Sequence, residues 1–347
     1  MRILNVMLGR GLGGLEQALL DYAVALTQLG HDVQTVMHPN AALRPALEAR
    51  VGVPHTLSHA GAWDPLAAAR LRLLLRRLRP DISIAHGNRA VALLRLAGAA
   101  PIAAVLANYK INCTGLAAAF CPTLDLKRHA TEQGVPASCA YHIPYMVEMP
   151  PAPQPRRMRE PSVIGTMGRF VAKKGFDVFL AALGRLRSSG VPFRAVLAGD
   201  GPEHATLERL ATELGLQDVL SFPGWVTDKA EFFAGIDLFC LPSHHEPFGI
   251  VLIEAMAHAV PIVAADSEGP VEILRDNSDG LIVPRGDPAR MAQALQALIA
   301  DRARAERLAA NAYRQVLLRY DVPRVGERID HAVREIVERA RSFGATA

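Results

Sequence analysis

Two carboxylates, Glu246 and Glu254, stand on either side of a change from loop to apolar helix in the run Pro242-Ser243-His244-His245-Glu246-Pro247-Phe248-Gly249-Ile250-Val251-Leu252-Ile253-Glu254-Ala255. Glu246 lies in the loop. Phe248 and Gly249 open the helix, where free backbone amides suit a diphosphate or sugar hydroxyls. Glu254 shares a helix face with Ile250 and Val251 and needs a polar partner there: a ribose diol, an arginine or a backbone group. Upstream, Gly168-Arg169-Phe170 and Lys173-Lys174-Gly175 put cations a few residues apart on one loop. Such cations can clamp the two phosphates of a nucleoside diphosphate and steady the charge on it as it departs. The same spacing also fits a solvated basic loop before a helix. Near the start, Gly9, Gly11 and Gly14 have dinucleotide-fingerprint spacing. The second strand, however, ends Met37-His38-Pro39-Asn40 without the carboxylate a ribose would need, which argues against NAD.

These groups need a scaffold that brings loops together, and the sequence supplies one. Ile3–Leu8 reads as a buried strand, Gly14–Leu29 as a helix stopped by Gly30, and Asp32–Met37 as a strand. Pro65–Arg79 reads as a helix with Asp64 as its N-cap, and Ile82–Ala85 and Ile102–Ala107 as strands. Met149 to Pro161 is rich in proline and has no apolar periodicity, so it reads as a linker. The alternation then resumes with strands at Ser162–Thr166, Arg194–Ala198, Val219–Phe222, Leu238–Leu241, Ile262–Ala265 and Leu281–Val283. From Pro288 the chain is nearly all helical, ending in Val325–Arg341. The expected fold class is α/β, with two doubly wound parallel-sheet domains at 1–150 and 162–320. A linker spans 151–161, and a last helix within 321–347 crosses back toward the first domain. Ligands of such sheets bind at the carboxyl ends of the strands, here expected in a cleft between the domains.

Composition narrows the classes. Half of the 347 residues are apolar and 21% charged, a globular balance. The net charge of +4 suits a phosphate-bearing ligand, an anionic membrane surface or nucleic acid alike, but no nucleic-acid module is visible. Cys113, Cys121, Cys139 and Cys240 show no paired or metal-like spacing and read as reduced, buried thiols. Leu96 to Ala107, the longest apolar stretch, is too short to span a bilayer. A cytoplasmic protein is expected.

Taken together, the segments resemble glycosyltransferase family 4. The resemblance rests on the two carboxylates with Pro-Phe-Gly after the first, and on four further runs in the same order as in the family. These are Gly13-Gly14-Leu15-Glu16, Ala85-His86-Gly87-Asn88-Arg89-Ala90, Gly168-Arg169-Phe170 with Lys173-Lys174-Gly175, and Leu197-Ala198-Gly199-Asp200-Gly201-Pro202. It covers essentially the whole chain and implies the two-domain GT-B fold. The implied reaction is retaining sugar transfer from a nucleotide-sugar, UDP-linked by default, to a glycan or lipid-linked acceptor.

The roles implied are specific. Arg169 and Lys174 would bind the donor diphosphate. Glu246 would bond the transferred sugar, with backbone contacts from Phe248, Gly249 and Ile250. Glu254 would hold the ribose. Gly13 and Gly14 would approach the donor phosphates or the acceptor, Gly199 and Gly201 would line the nucleotide side, and Trp225 and Val226 would meet the base. His86 would face the sugar; by residue type alone it could instead be a general base or an ordinary bonded histidine. The first domain would be the acceptor side and the second the nucleotide-sugar side.

Two departures stand out: Tyr145 follows Ile143-Pro144 where the family often carries Asn, and Asn108-Tyr109-Lys110-Ile111-Asn112 is no general family motif. That second stretch resembles a bacterial subgroup that builds lipopolysaccharide core or cell-surface polysaccharide. The chain has no Asp-x-Asp, so metal-independent transfer with no cofactor is expected. Arg70 to Arg79 reads as a basic amphipathic helix that either packs on the core with a solvated face or lies on anionic lipid at the membrane's inner face. Rival readings are an epimerase or hydrolase on the same fold, and a non-enzymatic nucleotide-sugar or nucleic-acid binder.

Overall fold

The computed structural model describes residues 1–11, 13–150 and 158–344. Most of the proline-rich run expected as a linker, residues 151–157, lies outside the described residues, as does Leu12 in the first glycine loop. The chain divides into two compact units: Met1–Met146 with Val322–Ala347, and Val147–Asp321.

The first unit carries β1 (Arg2–Met7), α1 (Gly14–Gln28), β2 (Asp32–Met37), α2 (Arg44–Arg50), β3 (His55–Thr56), α3 (Pro65–Leu78), β4 (Ile82–His86), α4 (Asn88–Ala97), β5 (Ile102–Val105), β6 (Ala118–Cys121), α5 (Leu124–Glu132) and β7 (Ala140–His142). Its strands form one parallel sheet in the order β3-β2-β1-β4-β5-β6-β7. Both faces of a parallel sheet are covered by helices, so its strands are mostly apolar. Ile3, Leu4 and Val6 of β1, and Ile84 and Ala85 of β4, are accordingly fully buried. Asp64 caps α3 by accepting the amides of Leu66 and Ala67, and Pro65 occupies the first turn, where no N–H is required.

The second unit carries β8 (Ser162–Met167), α6 (Phe176–Ser188), β9 (Phe193–Ala198), α7 (His204–Glu213), β10 (Leu220–Ser221), α8 (Lys229–Gly235), β11 (Leu238–Leu241), α9 (Ile250–Ala257), β12 (Ile262–Ala265), α10 (Pro270–Ile273), β13 (Leu281–Val283), α11 (Pro288–Ala300) and α12 (Arg302–Arg319). Its parallel sheet runs β10-β9-β8-β11-β12-β13. Phe170, Phe179, Leu183 and Leu197 are fully buried in its core.

The last helix, α13 (Val322–Gly344), belongs to the first unit. Val325, Ile329, Val333 and Ile336 form its buried stripe. Gly326 lets it approach α1, since a Cβ there would meet that of Ala25 at 3.1 Å. Polar contacts fix its register: His31 Nε2 lies 2.7 Å from Asp330, and Arg341 donates to Asp81 at 2.6 Å. The four cysteines are free and buried. Among the described residues no helix is long and apolar enough to cross a membrane.

Candidate functional site

In the second unit, glycines draw the loops at the carboxyl ends of the strands into one surface. Gly199, at φ +140°, passes so close to the β8–α6 loop that an added Cβ would lie 1.9 Å from the Gly168 carbonyl oxygen. Gly201, at φ +155°, passes the Phe170 carbonyl in the same way, at 2.5 Å. Their first role is thus to seat the loop carrying Arg169. Two backbone bonds hold that loop down, from the Gly168 amide to Ala198 O (3.0 Å) and from the Phe170 amide to Asp200 O (2.9 Å).

The loop then makes a short 3-10 turn, Ala172–Lys174, that aims the Lys174 side chain at Glu246. Lys174 Nζ donates to Glu246 Oε2, with the side chains only 20% and 10% exposed. Ser243 Oγ donates to the same oxygen at 3.4 Å. Arg169 is exposed on the same loop and makes no ion pair among the described residues. Beside Glu246, Gly249 starts α9 at φ +98° with no side-chain cap, so the first amides of the helix stay open to an outside acceptor. Phe248 is buried against Tyr320, ring centroids 6.0 Å apart, which leaves its backbone as the part available for contact.

Glu254 is buried on α9, and its polar partner is Lys229 Nζ. That residue type was not among those expected for it. Trp225 is 48% exposed, and Val226 is half-buried beside it. The preceding Gly224 carbonyl accepts from the Gly199 amide at 2.7 Å, which ties the Trp225 loop to the others.

Two further residues carried no sequence signal. Glu268 accepts the Glu246 backbone N–H at 3.1 Å, lies 3.1 Å from His245 Nδ1, and accepts from Arg285 at 3.3 Å. Burial pushes its carboxyl up, but hydrogen bonds from its own backbone, from His245 and from the Glu246 amide outweigh that and hold it at about 2. Arg285 also donates to the His244 carbonyl at 3.1 Å. Glu268 and Arg285 therefore brace the backbone on which Glu246 sits. In the sequence they fall in ordinary-looking loops, and only the fold brings them under residues 244–246.

In the first unit, Gly13 is the N-cap of α1 and makes no side-chain bond, and Gly14 is the first helical residue. The Glu16 carboxylate tucks beneath this loop, where a Cβ at Gly9 or Gly13 would meet it at 2.5 or 2.9 Å. Burial raises the Glu16 carboxyl pKa.

His86 requires a correction. The sequence placed it at a strand end facing a sugar, but its side chain is sealed within the unit, 1% exposed. Its Nε2 lies 2.8 Å from Asn5 Oδ1, and its ring meets Tyr22 edge-on at 5.2 Å. Burial pushes its pKa down to about 3. Burial thus favours the neutral ring, whose Nδ1 has no hydrogen-bond partner among the described residues. Every residue of β4 is buried, since both faces of the sheet are covered, and Asn5 from β1 meets the His86 ring.

Comparison with known proteins decides the class. Residues 152–315 match the family model for glycosyl transferases group 1, and residues 12–109 match that for Glycosyltransferase Family 4. The chain thus carries a glycosyl transferases group 1 domain and a Glycosyltransferase Family 4 domain. It is 29% identical to the lipopolysaccharide core biosynthesis glycosyltransferase LpsD of Rhizobium meliloti (strain 1021) over 89% of this chain and 91% of that one. It is 42% identical to LpsE of the same organism, over 42% of each chain. Among solved structures it is similar to HepE of Anabaena in complex with UDP and glucose, with a TM-score of 0.82 at 20% identity over 96% of this chain and 100% of that one. That likeness shows the fold: the two parallel-sheet units are those of a GT-B glycosyltransferase.

Proposed function

We propose that this glycosyltransferase moves a sugar from a UDP-linked donor to a glycan or lipid-linked acceptor in lipopolysaccharide or cell-surface polysaccharide synthesis, with retention of anomeric configuration and without a metal ion. The observation that carries the reading is the Lys174–Glu246 pair beside the uncapped N-terminus of α9, with the exposed Arg169 on the same loop as Lys174. A diphosphate entering there takes Lys174, Arg169 and the first amides of α9 as its cations and donors. Lys174 then leaves Glu246, whose carboxylate becomes free to accept hydrogen bonds from sugar hydroxyls. As the glycosidic bond breaks, charge collects on the departing diphosphate, where these groups are already in position. A leaving-phosphate oxygen accepts the proton of the attacking hydroxyl on the same face of the sugar. The names of LpsD and LpsE, and the UDP bound to HepE, support the acceptor class and the base. Fixed cations in place of an Asp-x-Asp pair support metal-free transfer.

A thermal-shift panel of UDP, GDP, ADP and their sugar conjugates, with and without EDTA, tests this reading. The expected result is a rise in melting temperature with UDP and UDP-sugars that EDTA leaves unchanged. Product anomers, read by NMR during transfer, should keep the donor configuration. Rapid release of free sugar with no acceptor requirement would favour a hydrolase, and steep salt-dependent DNA binding without nucleotide affinity would favour a binder.

Peripheral contact with an anionic membrane belongs to the same proposal. Leu66, Arg70, Leu73 and Arg77 follow one another down the outer face of α3, with Leu66 71% and Leu73 64% exposed and Trp63 79% exposed just before the helix. Arg70, Arg76 and Arg77 have no carboxylate partner among the described residues. Binding to vesicles containing phosphatidylglycerol but not to purely zwitterionic ones, abolished in Trp63→Ser/Leu73→Ser, is the expected result.

A further inference from the structure

The first unit gathers a set of nitrogen-bearing side chains, two guanidinium groups among them, that the donor site does not use. Its sheet runs β3-β2-β1-β4, and each of these neighbouring strands delivers one nitrogen-bearing side chain just past its carboxyl end: His59, His38, Arg10 and Arg89. Two of them converge on one atom. His59 Nε2 and Arg89 Nη1 each lie 3.1 Å from the Leu8 carbonyl oxygen, at the end of β1. The His38 and His59 rings meet edge-on at 5.5 Å. The Asn40 amide donates to His38 Nδ1 at 3.0 Å, so the neutral His38 ring carries its proton on Nε2. The Leu8 carbonyl can only accept, so neutral His59 carries its proton on Nε2, and its buried Nδ1 has no partner among the described residues.

Among the described residues no carboxylate is hydrogen-bonded to any of these four side chains. Asp64, which acts on His59, is committed to the amides of Ala60, Leu66 and Ala67. Glu16 lies under Gly9 and Gly13. The Arg10 guanidinium is exposed and unpaired among the described residues. Burial lowers the His38 pKa, and the positive charges of Arg10, His59 and Arg89 lower it further, as expected for a cluster whose counter-charge is missing.

We propose that Arg10, His38, His59 and Arg89 form a subsite for an anionic group, a phosphate or a carboxylate, carried by the acceptor. The carboxyl ends of adjacent parallel strands are where α/β sheets bind ligands, and guanidinium groups match both anions in geometry. The assignment to the acceptor rests on the donor reading above, which gives the nucleotide diphosphate its own cations in the second unit. The acceptor is then not a neutral glycan: it bears a phosphorylated sugar or a sugar acid.

Histidine-ring NMR of the full chain, titrated separately with inorganic phosphate, glucuronate, glucose and UDP, tests this. Phosphate or glucuronate should shift the His38 and His59 signals while glucose does not. Phosphate alone marks a phosphorylated acceptor, glucuronate alone a sugar acid, and both together a site that reads charge only. Arg10→Gln, which removes a side chain bonded to nothing, should weaken the anion about tenfold. The UDP-induced rise in melting temperature should be unchanged in that variant. No shift with either anion, or an equal shift with glucose, overturns the subsite. A shift with UDP that Arg10→Gln weakens gives the cluster to the donor and overturns it as well. Failure of UDP to raise the wild-type melting temperature would instead fault the donor reading.

Discussion

Replacing Lys174 by Met removes the cation from a pair whose side chains are only 20% and 10% exposed, and leaves Glu246 with the Ser243 hydroxyl alone. An unpaired carboxylate this deep costs about 2–3 kcal/mol, below the range for fully buried pairs because both groups keep some solvent. For a unit of this size that lowers the melting temperature by about 4–12 °C. The loss of charge stabilisation on the leaving diphosphate should lower kcat by about 10²–10³-fold. Stability and chemistry can be separated by adding Glu246→Gln. The double variant has no unpaired charge and should recover about 1–2 kcal/mol relative to Lys174→Met. It should recover no activity, because the cation for the diphosphate is still missing and the Glu246 carboxylate that would hold the sugar is gone as well. Melting curves and initial rates of UDP release with saturating donor and acceptor read both quantities. If the double variant regains turnover, or if Lys174→Met stays within about threefold of wild type, Lys174 is only a structural counterion and the reasoning fails.

Glu254→Gln should raise the donor KM about tenfold with kcat little changed, since a ribose contact is made equally in ground and transition states; an unchanged KM in steady-state kinetics would remove the ribose role. Gly199→Ala should lower both melting temperature and donor affinity, because its Cβ would lie 1.9 Å from the Gly168 carbonyl; Gly11→Ala, with nothing within 4 Å, serves as the tolerant control. Glu268, held at about 2, contributes stability that is full above its unfolded value near 4.5 and is lost as pH falls from there toward 2. Glu268→Gln should flatten that limb in acid unfolding curves. His86, lowered from 6.5 to about 3, contributes stability that is full above 6.5 and declines as pH falls toward 3, and His86→Gln should leave the kcat profile between pH 5 and 8 without a missing limb. A histidine ionisation that vanishes from the profile in that variant would restore it as a base.

What the sequence made legible followed from local rules. Buried parallel strands read as apolar runs, so β1, β8, β11 and β12 were visible. Capping chemistry made the start of α3 visible through Asp64 and Pro65. The segment from Ala118 to His142 was not: β6 reads Ala-Ala-Phe-Cys, with none of the β-branched residues that mark a strand, and β7 has only three residues. The donor-site candidates in loops were legible because their residue types are unusual there. Lys229 was not, because its meaning depends on Glu254, which lies 25 positions further on. Glu268 and Arg285 escaped for the same reason. For His86 residue type suggested an open position, whereas the fold buries the side chain beside Asn5. Residue type announces reactivity, while the layers packed on the sheet decide whether the side chain is reached.

The last helix sets an order of events during synthesis. The first unit needs α13, whose buried stripe, Gly326 contact and Asp330 bond all complete it, yet α13 is translated after every element of the second unit. The second unit is one unbroken stretch and can close while still tethered to the ribosome. The first half to be made is thus the last to be finished, and until then α1 shows the growing chain an apolar flank. A stop codon before Val322 would spare the second unit and leave the first with that flank bare. Such a truncated chain should aggregate through its older half, however well its younger half has folded.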